Sequence, residues 1–167
     1  MKTMNRTPEF RELTLDVQWL YTIYNEFLDE GNIEQWPNFF VKDSHYRITS
    51  RENFDQNFPL SFVLCDGQKM IKDRAIALQK TVMYRRRSQC RIVSGVRLIS
   101  IDDVNVYGIK ACSSFAIYES LYGESSKLLV CGRSHDVIVQ DDGILKFKDR
   151  MCIINTDIIP DSIVLPI

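Results

Sequence analysis

The stretch 84–101, YRRRSQCRIVSGVRLISI, most constrains what this chain can fold into, because the kind of periodicity changes there. Before it, apolar residues recur at spacings of three and four, as in helices that bury one face. After it, apolar-rich runs are cut by turn signals, as in strands. Helices first and strands afterwards predict an α+β fold with the helices packed on one face of an antiparallel sheet. Within the stretch, alternation places Cys90, Ile92, Ser94, Val96 and Leu98 on one face of the opening strand.

Turn signals at Asp102-Asp103, at 123–126 and at Asp141-Asp142-Gly143 divide the remainder into strands over 90–101, 104–121, 127–140 and 144–156. They are expected to pair in order as an antiparallel meander. Strands this long accumulate twist, so the sheet should curl into a cone-shaped half-barrel around about three N-terminal helices. Irregular alternation near Gly108 and Gly132 predicts bulges or bends there.

The helical half begins at Thr7-Pro8-Glu9, an N-cap residue followed by proline and an acidic first turn. A helix to about Glu30 would bury Leu13, Val17, Leu20, Tyr21, Tyr24 and Leu28, and Gly31 supplies its stop. Asn32 and Gln35 resemble a capping box for a short helix carrying Trp36, Phe39 and Phe40. A short strand is expected over 45–51 and a loop over 52–59. A third helix, capped by Asp66 and reaching about Val82, would bury Ile71, Ala75, Leu78 and Val82.

Composition narrows the function. With 167 residues, 45% apolar and 26% charged, one domain over 1–167 is expected. A formal net charge of −1 gives no electrostatic case for nucleic acid or an anionic membrane. No apolar run reaches membrane-spanning length and the first ten residues lack a signal-peptide core, so a cytoplasmic location is expected. The five cysteines form no CxxC, and four stand in strand-like text, where a buried free thiol is the ordinary outcome.

Motifs for metal, phosphate or nucleophile chemistry are absent from the sequence. The two histidines, His45 and His135, cannot supply both a Rieske cluster and a mononuclear iron site. His135 and Asp136 are adjacent in a strand and point to opposite faces, whereas Asp43 and His45 share one. Each histidine reads either as a hydrogen-bonded structural or surface residue or as an acid–base group in a cavity. The arginines Arg85, Arg86, Arg87 and Arg91, with Arg97 further along the strand, read either as a solvated face or as a candidate subunit interface. The apolar residues of 158–167 are expected to pack on their own sheet or on a neighbour.

The order of these features resembles a known family. An amphipathic first helix, Trp36 with Phe39 and Phe40, an Asp43…Tyr46 strand entry, Asp73-Arg74, RRRSQCRIVSGV and GILKFKDRMCIINTD together resemble the small, or β, subunit of aromatic-ring-hydroxylating dioxygenases over about residues 9 to 157. The resemblance implies a fold similar to the cone-shaped barrels of steroid isomerase, scytalone dehydratase and nuclear transport factor. It implies a structural subunit without an active site or cofactor of its own. The Rieske [2Fe-2S] cluster and mononuclear iron would belong to a large (α) subunit, in an α3β3 assembly fed with NADH electrons by a reductase and, in some systems, a ferredoxin. Self-association as a trimer follows from the same resemblance. The alternative is a stand-alone isomerase or dehydratase of the same fold, working through His45, Asp43 or His135 in the cone's cavity.

Overall fold

In the computed structural model, the described residues are 7–80, 87–101, 108–156, 158–159 and 162–167. Helix α1 (Pro8–Asp29) starts where the sequence predicts, with Thr7 Oγ1 accepting from the Phe10 amide at 3.2 Å. It ends on Gly31 at φ +81°, where the Gly31 amide reaches the Leu28 carbonyl and the Asn32 amide reaches the Phe27 carbonyl. That pair of bonds satisfies two of the carbonyls a helix end leaves open, and glycine adopts the left-handed turn without a Cβ penalty.

A 3-10 helix (Ile33–Phe39) follows, then β1 (Phe40–Ser50), α2 (Arg51–Asp55), β2 (Val63–Asp66) and α3 (Gln68–Lys80). Two local expectations are corrected here. The capping box at Asn32 does not form, because its side-chain amide donates to Glu30 Oε2 instead. Asp66 does not cap α3, because it ends β2 and Gly67, at φ +86°, separates it from the helix. The loop expected at 52–59 contains α2, one turn capped by Ser50 Oγ on the Asn53 amide. Val82 lies outside the described residues.

Strands β3 (Arg87–Ile101), β4 (Ile109–Leu121), β5 (Lys127–Asp141) and β6 (Ile144–Ile154) pair in order as an antiparallel meander. The whole sheet runs β2-β1-β6-β5-β4-β3 and is mixed, because β1 joins β6 in parallel. An all-antiparallel sheet was the expectation. Orientation escaped it because β1 meets β6 across about a hundred residues, and a short alternating run carries no sign of its partner's direction. The α+β class holds, and the six-stranded sheet stays open, with β2 and β3 at its ends.

Helix α1 packs against β3 and β6, and α3 against β1 and β2. Between these helices and the sheet lies an aromatic core. Tyr21 and Tyr24 meet Phe147 edge-on at 5.5 and 5.4 Å, and Trp36 meets Tyr46 at 5.1 Å. Each such buried ring contributes roughly 1.5–3 kcal/mol, and edge-on contact about 0.5–1.5 kcal/mol more.

Irregularities in the sheet fall partly where glycines are. Gly95, at φ +61°, sits in a register break between Ser94 and Arg97. This break inverts the alternation of β3, so Cys90, Ile92 and Ser94 are exposed while Leu98 is buried, which corrects the single face assigned to them. Gly132 is not a bulge. It stays in register, and a Cβ there would lie 2.0 Å from the Ile153 carbonyl oxygen, so close approach of β6 requires glycine.

Candidate functional site

Alternation gives the sheet an inner face toward the helices and an outer face away from them. At the centre of the inner face stands Arg150, buried on β6. Its guanidinium lies over the rings of Tyr24 (4.5 Å), Phe147 (4.8 Å) and Tyr21 (5.3 Å). Nη1 reaches Asp136 Oδ2 on β5 at 3.3 Å, and the same oxygen accepts from Ser134 Oγ at 2.6 Å and from the Tyr21 hydroxyl. Ser113 extends the network to β4 through Ser134 at 2.8 Å.

Burial dominates the electrostatics of this cluster. It raises the Asp136 carboxyl above its ordinary value, although Arg150, Ser134 and Tyr21 oppose the shift. The Tyr24 phenol and the Cys152 thiol are each pushed up to about 12 by burial, with Arg150 opposing. The Tyr21 and Tyr46 phenols are raised as well, chiefly by burial, so these groups stay protonated at neutral pH. The cluster has the residue types of an acid–base site, but Ile167 is 3% exposed and its carbonyl oxygen sits on Arg150 Nε at 3.3 Å. The place a substrate would take in front of Arg150 is occupied.

Both histidines lie on the outer face, which corrects the reading that put them in the cone's cavity. Their strand neighbours Tyr46 and Asp136 point inward, so alternation turns His45 and His135 outward. His45 stands between Asp66 Oδ1 (3.0 Å from Nε2) and Asp149 Oδ1 (2.9 Å from Nδ1). These two carboxylates, rather than Asp43, are its partners. His135 meets the ring of Phe54 edge-on at 5.3 Å. The structure brings both histidines to one outer cleft of about 370 Å³, together with Arg47, Lys110, Asp149 and Met151. Among the described residues, no group of three or more His, Cys, Asp or Glu is placed to hold a metal ion.

The arginines divide. Arg85 and Arg86 lie outside the described residues. Arg87 pairs with Glu119 at 3.0 Å, both side chains nearly buried. Arg91 is buried within its own chain. Its guanidinium pairs with Asp29 and donates to Gln89 Oε1 at 2.9 Å and to the Pro166 carbonyl, while its amide donates to Asp29 Oδ2 at 2.9 Å. The inward phase of β3 before Gly95 puts it opposite the end of α1, so for Arg91 the solvated face is corrected to a core position. Arg97, after the bulge, is exposed and donates from Nε to Cys112 Sγ at 3.0 Å.

What the outer face does expose is an apolar band. Cross-strand rows Cys90, Tyr118, Leu128 and Ile92, Ala116, Cys131 run over β3, β4 and β5, with Ile99 and Ile101 beyond. Tyr118 and Leu128 were missed in the sequence, although the outward phase of β4 and β5 was a signal available there. A second apolar group, Trp19 on α1 and Ile144 at the β5–β6 turn, borders a cleft of about 410 Å³.

No family model matches the chain. It is similar to the small subunit of anthranilate 1,2-dioxygenase of Burkholderia cepacia, 24% identical over 98% of this chain and 100% of that one. It is also similar to subunit β2 of the terminal oxygenase component of terephthalate 1,2-dioxygenase of a Comamonas species, 27% identical over 86% and 92%. Among solved structures, the β subunit of a candidate aromatic-ring-hydroxylating dioxygenase from Novosphingobium aromaticivorans superposes with a TM-score of 0.84, at 23% identity over 94% of this chain and 98% of that one. A candidate scytalone dehydratase of the same species superposes less well, with a TM-score of 0.63 at 19% identity over 88% of each chain. The chain is thus similar nearly end to end to small, or β, subunits of ring-hydroxylating dioxygenases, and it shares the fold of a solved β subunit of that kind.

Proposed function

We propose that this chain is the structural subunit of a multicomponent ring-hydroxylating dioxygenase and supports assembly of an iron-bearing large subunit that adds both atoms of dioxygen to an aromatic ring. The single observation that carries this reading is the full-length match to a curated small subunit, anthranilate 1,2-dioxygenase's, over 164 residues. The division of the sheet supports it, with Arg150 and Asp136 in contact and covered inside and an apolar band uncovered outside. Two separate apolar groups suit two kinds of contact, one with a second copy and one with the large subunit. An α3β3 assembly resting on a β trimer, with electrons arriving from NADH through a reductase and in some cases a ferredoxin, is the finer form of the proposal. We assign the contact among small subunits to the band around Ile92, Tyr118 and Leu128, with Arg97 at its side.

Co-expression with its large subunit tests this reading. The expected outcome is co-purification, with iron and the Rieske spectrum carried by the large subunit and a large subunit that aggregates when produced alone. A small subunit that stays monomeric and apart from the large one overturns it. The dehydratase alternative requires turnover by the chain alone; it is weakened by Ile167 standing at Arg150 and by both histidines facing outward.

A further inference from the structure

The segment 163–167 crosses the inner side of the molecule outside any helix or strand, and side chains from five separate elements hold its main chain. Arg74 of α3 donates from Nη2 to the Val164 carbonyl at 3.1 Å. Arg91 of β3 donates from Nη2 and Nε to the Pro166 carbonyl at 2.6 and 3.3 Å. At Ile167 the carbonyl receives Arg150 Nε at 3.3 Å and the Tyr24 hydroxyl at 3.0 Å, while the Ile167 amide donates to Tyr46 Oη at 2.8 Å. Trp36 Nε1 donates to Tyr24 Oη at 3.0 Å, which turns the Tyr24 proton toward the segment.

Two of these donors, Arg150 and Arg91, are held in place independently of what they bind. Arg150 is stacked on three rings and paired with Asp136, and Arg91 is paired with Asp29 and Gln89. Preformed donors aimed at main-chain carbonyls, beside an apolar pocket filled by one β-branched side chain, are the elements of a peptide-recognition site. We propose that this inner groove is a peptide-binding site and that segment 163–167 fills it as a ligand tethered in cis, leaving and re-docking while the sheet stays folded. Segment and sheet are separable because the contacts described between them run through side chains, whereas β5 and β6 are joined by a backbone ladder. The proposal does not depend on the assembly reading above.

The test uses the full-length Ile167→Gly variant, which empties the pocket and keeps every donor. Its thermal midpoint should fall by about 5 °C or more. Free acetylated Ile-Val-Leu-Pro-Ile at millimolar concentration should restore most of that loss, leave the wild-type midpoint where it is, and lose its effect when the sequence is scrambled. A variant that melts like wild type, or a midpoint the peptide does not move, overturns the proposal. If the variant fails to fold, hydrogen exchange on the wild-type chain decides. An Ile167 amide exchanging at least about tenfold faster than the inner amides of β6, without dependence on dilute denaturant, supports a docking segment, and exchange only together with β6 overturns it.

Discussion

The inner and outer faces of one sheet use charge in opposite ways. Inside, Arg150 and Asp136 are both buried, share a 3.3 Å contact and are surrounded by aromatic rings. Outside, His45 touches two carboxylates at similar distances, yet its side chain is 56% exposed and those of Asp66 and Asp149 are 74% and 43% exposed. Similar geometry therefore carries very different weight. A buried charge that loses its partner keeps its desolvation penalty, whereas an exposed one exchanges its partner for water.

The largest effect expected is at Arg150. Replacing it by Met leaves Asp136 buried without a counter-charge and should cost about 3–5 kcal/mol in urea unfolding at neutral pH. Asp136 already titrates above its ordinary value, and losing Arg150 removes an influence that lowers it. A carboxyl whose folded pKa is raised favours the native state when protonated, so the deficit should shrink as pH falls toward 4. The double variant Arg150→Met, Asp136→Asn should recover much of the loss; a deficit independent of pH and unrelieved by the second change would break the contrast.

Next comes Arg91, paired with an Asp29 side chain that is 27% exposed. Partial access to water moderates the cost, so Arg91→Met is expected to destabilise by about 2–3 kcal/mol, again read by urea. The outer apolar band should behave in the reverse manner. Tyr118→Glu and Leu128→Lys are expected to leave the melting of the isolated chain within about 0.5 kcal/mol of wild type while weakening self-association more than about tenfold in sedimentation. Unfolding without any change of assembly would place the band in the core economy of the chain instead of at a contact. The smallest effect belongs to His45. His45→Gln should change stability by at most about 1 kcal/mol, and a loss as large as that of Arg150 would show that exposure does not separate the two faces.

Much of the framework was readable from pattern alone. The bounds of α1, the order of four meandering strands and the strand-forming positions of the cysteines follow from periodicity and turn chemistry, which are local properties. All five cysteines are free, though Cys90 is exposed and Cys131 half-buried. The resemblance to small subunits rested on the order of motifs along the chain, and order survives where individual identities do not. Arg91 was misplaced for a physical reason: the phase of β3 depends on the Gly95 bulge, and one extra residue in a strand sends each side chain to the other face.

Thus the sequence determined the class of fold, the sites of the turns, the apolar stripe of α1 and the want of a motif for metal or phosphate chemistry, all legible within windows of ten to twenty residues. Tertiary structure alone decided that β1 pairs in parallel with β6, that Asp136 and Arg150 meet in the core, and that segment 163–167 lies against Arg74, Arg91 and Arg150. Each of these joins parts of the chain through spatial pairing, and the polar residues involved are of types found more often at the surface. Only the finished packing, by closing water out around them, makes an arginine and an aspartate into core residues.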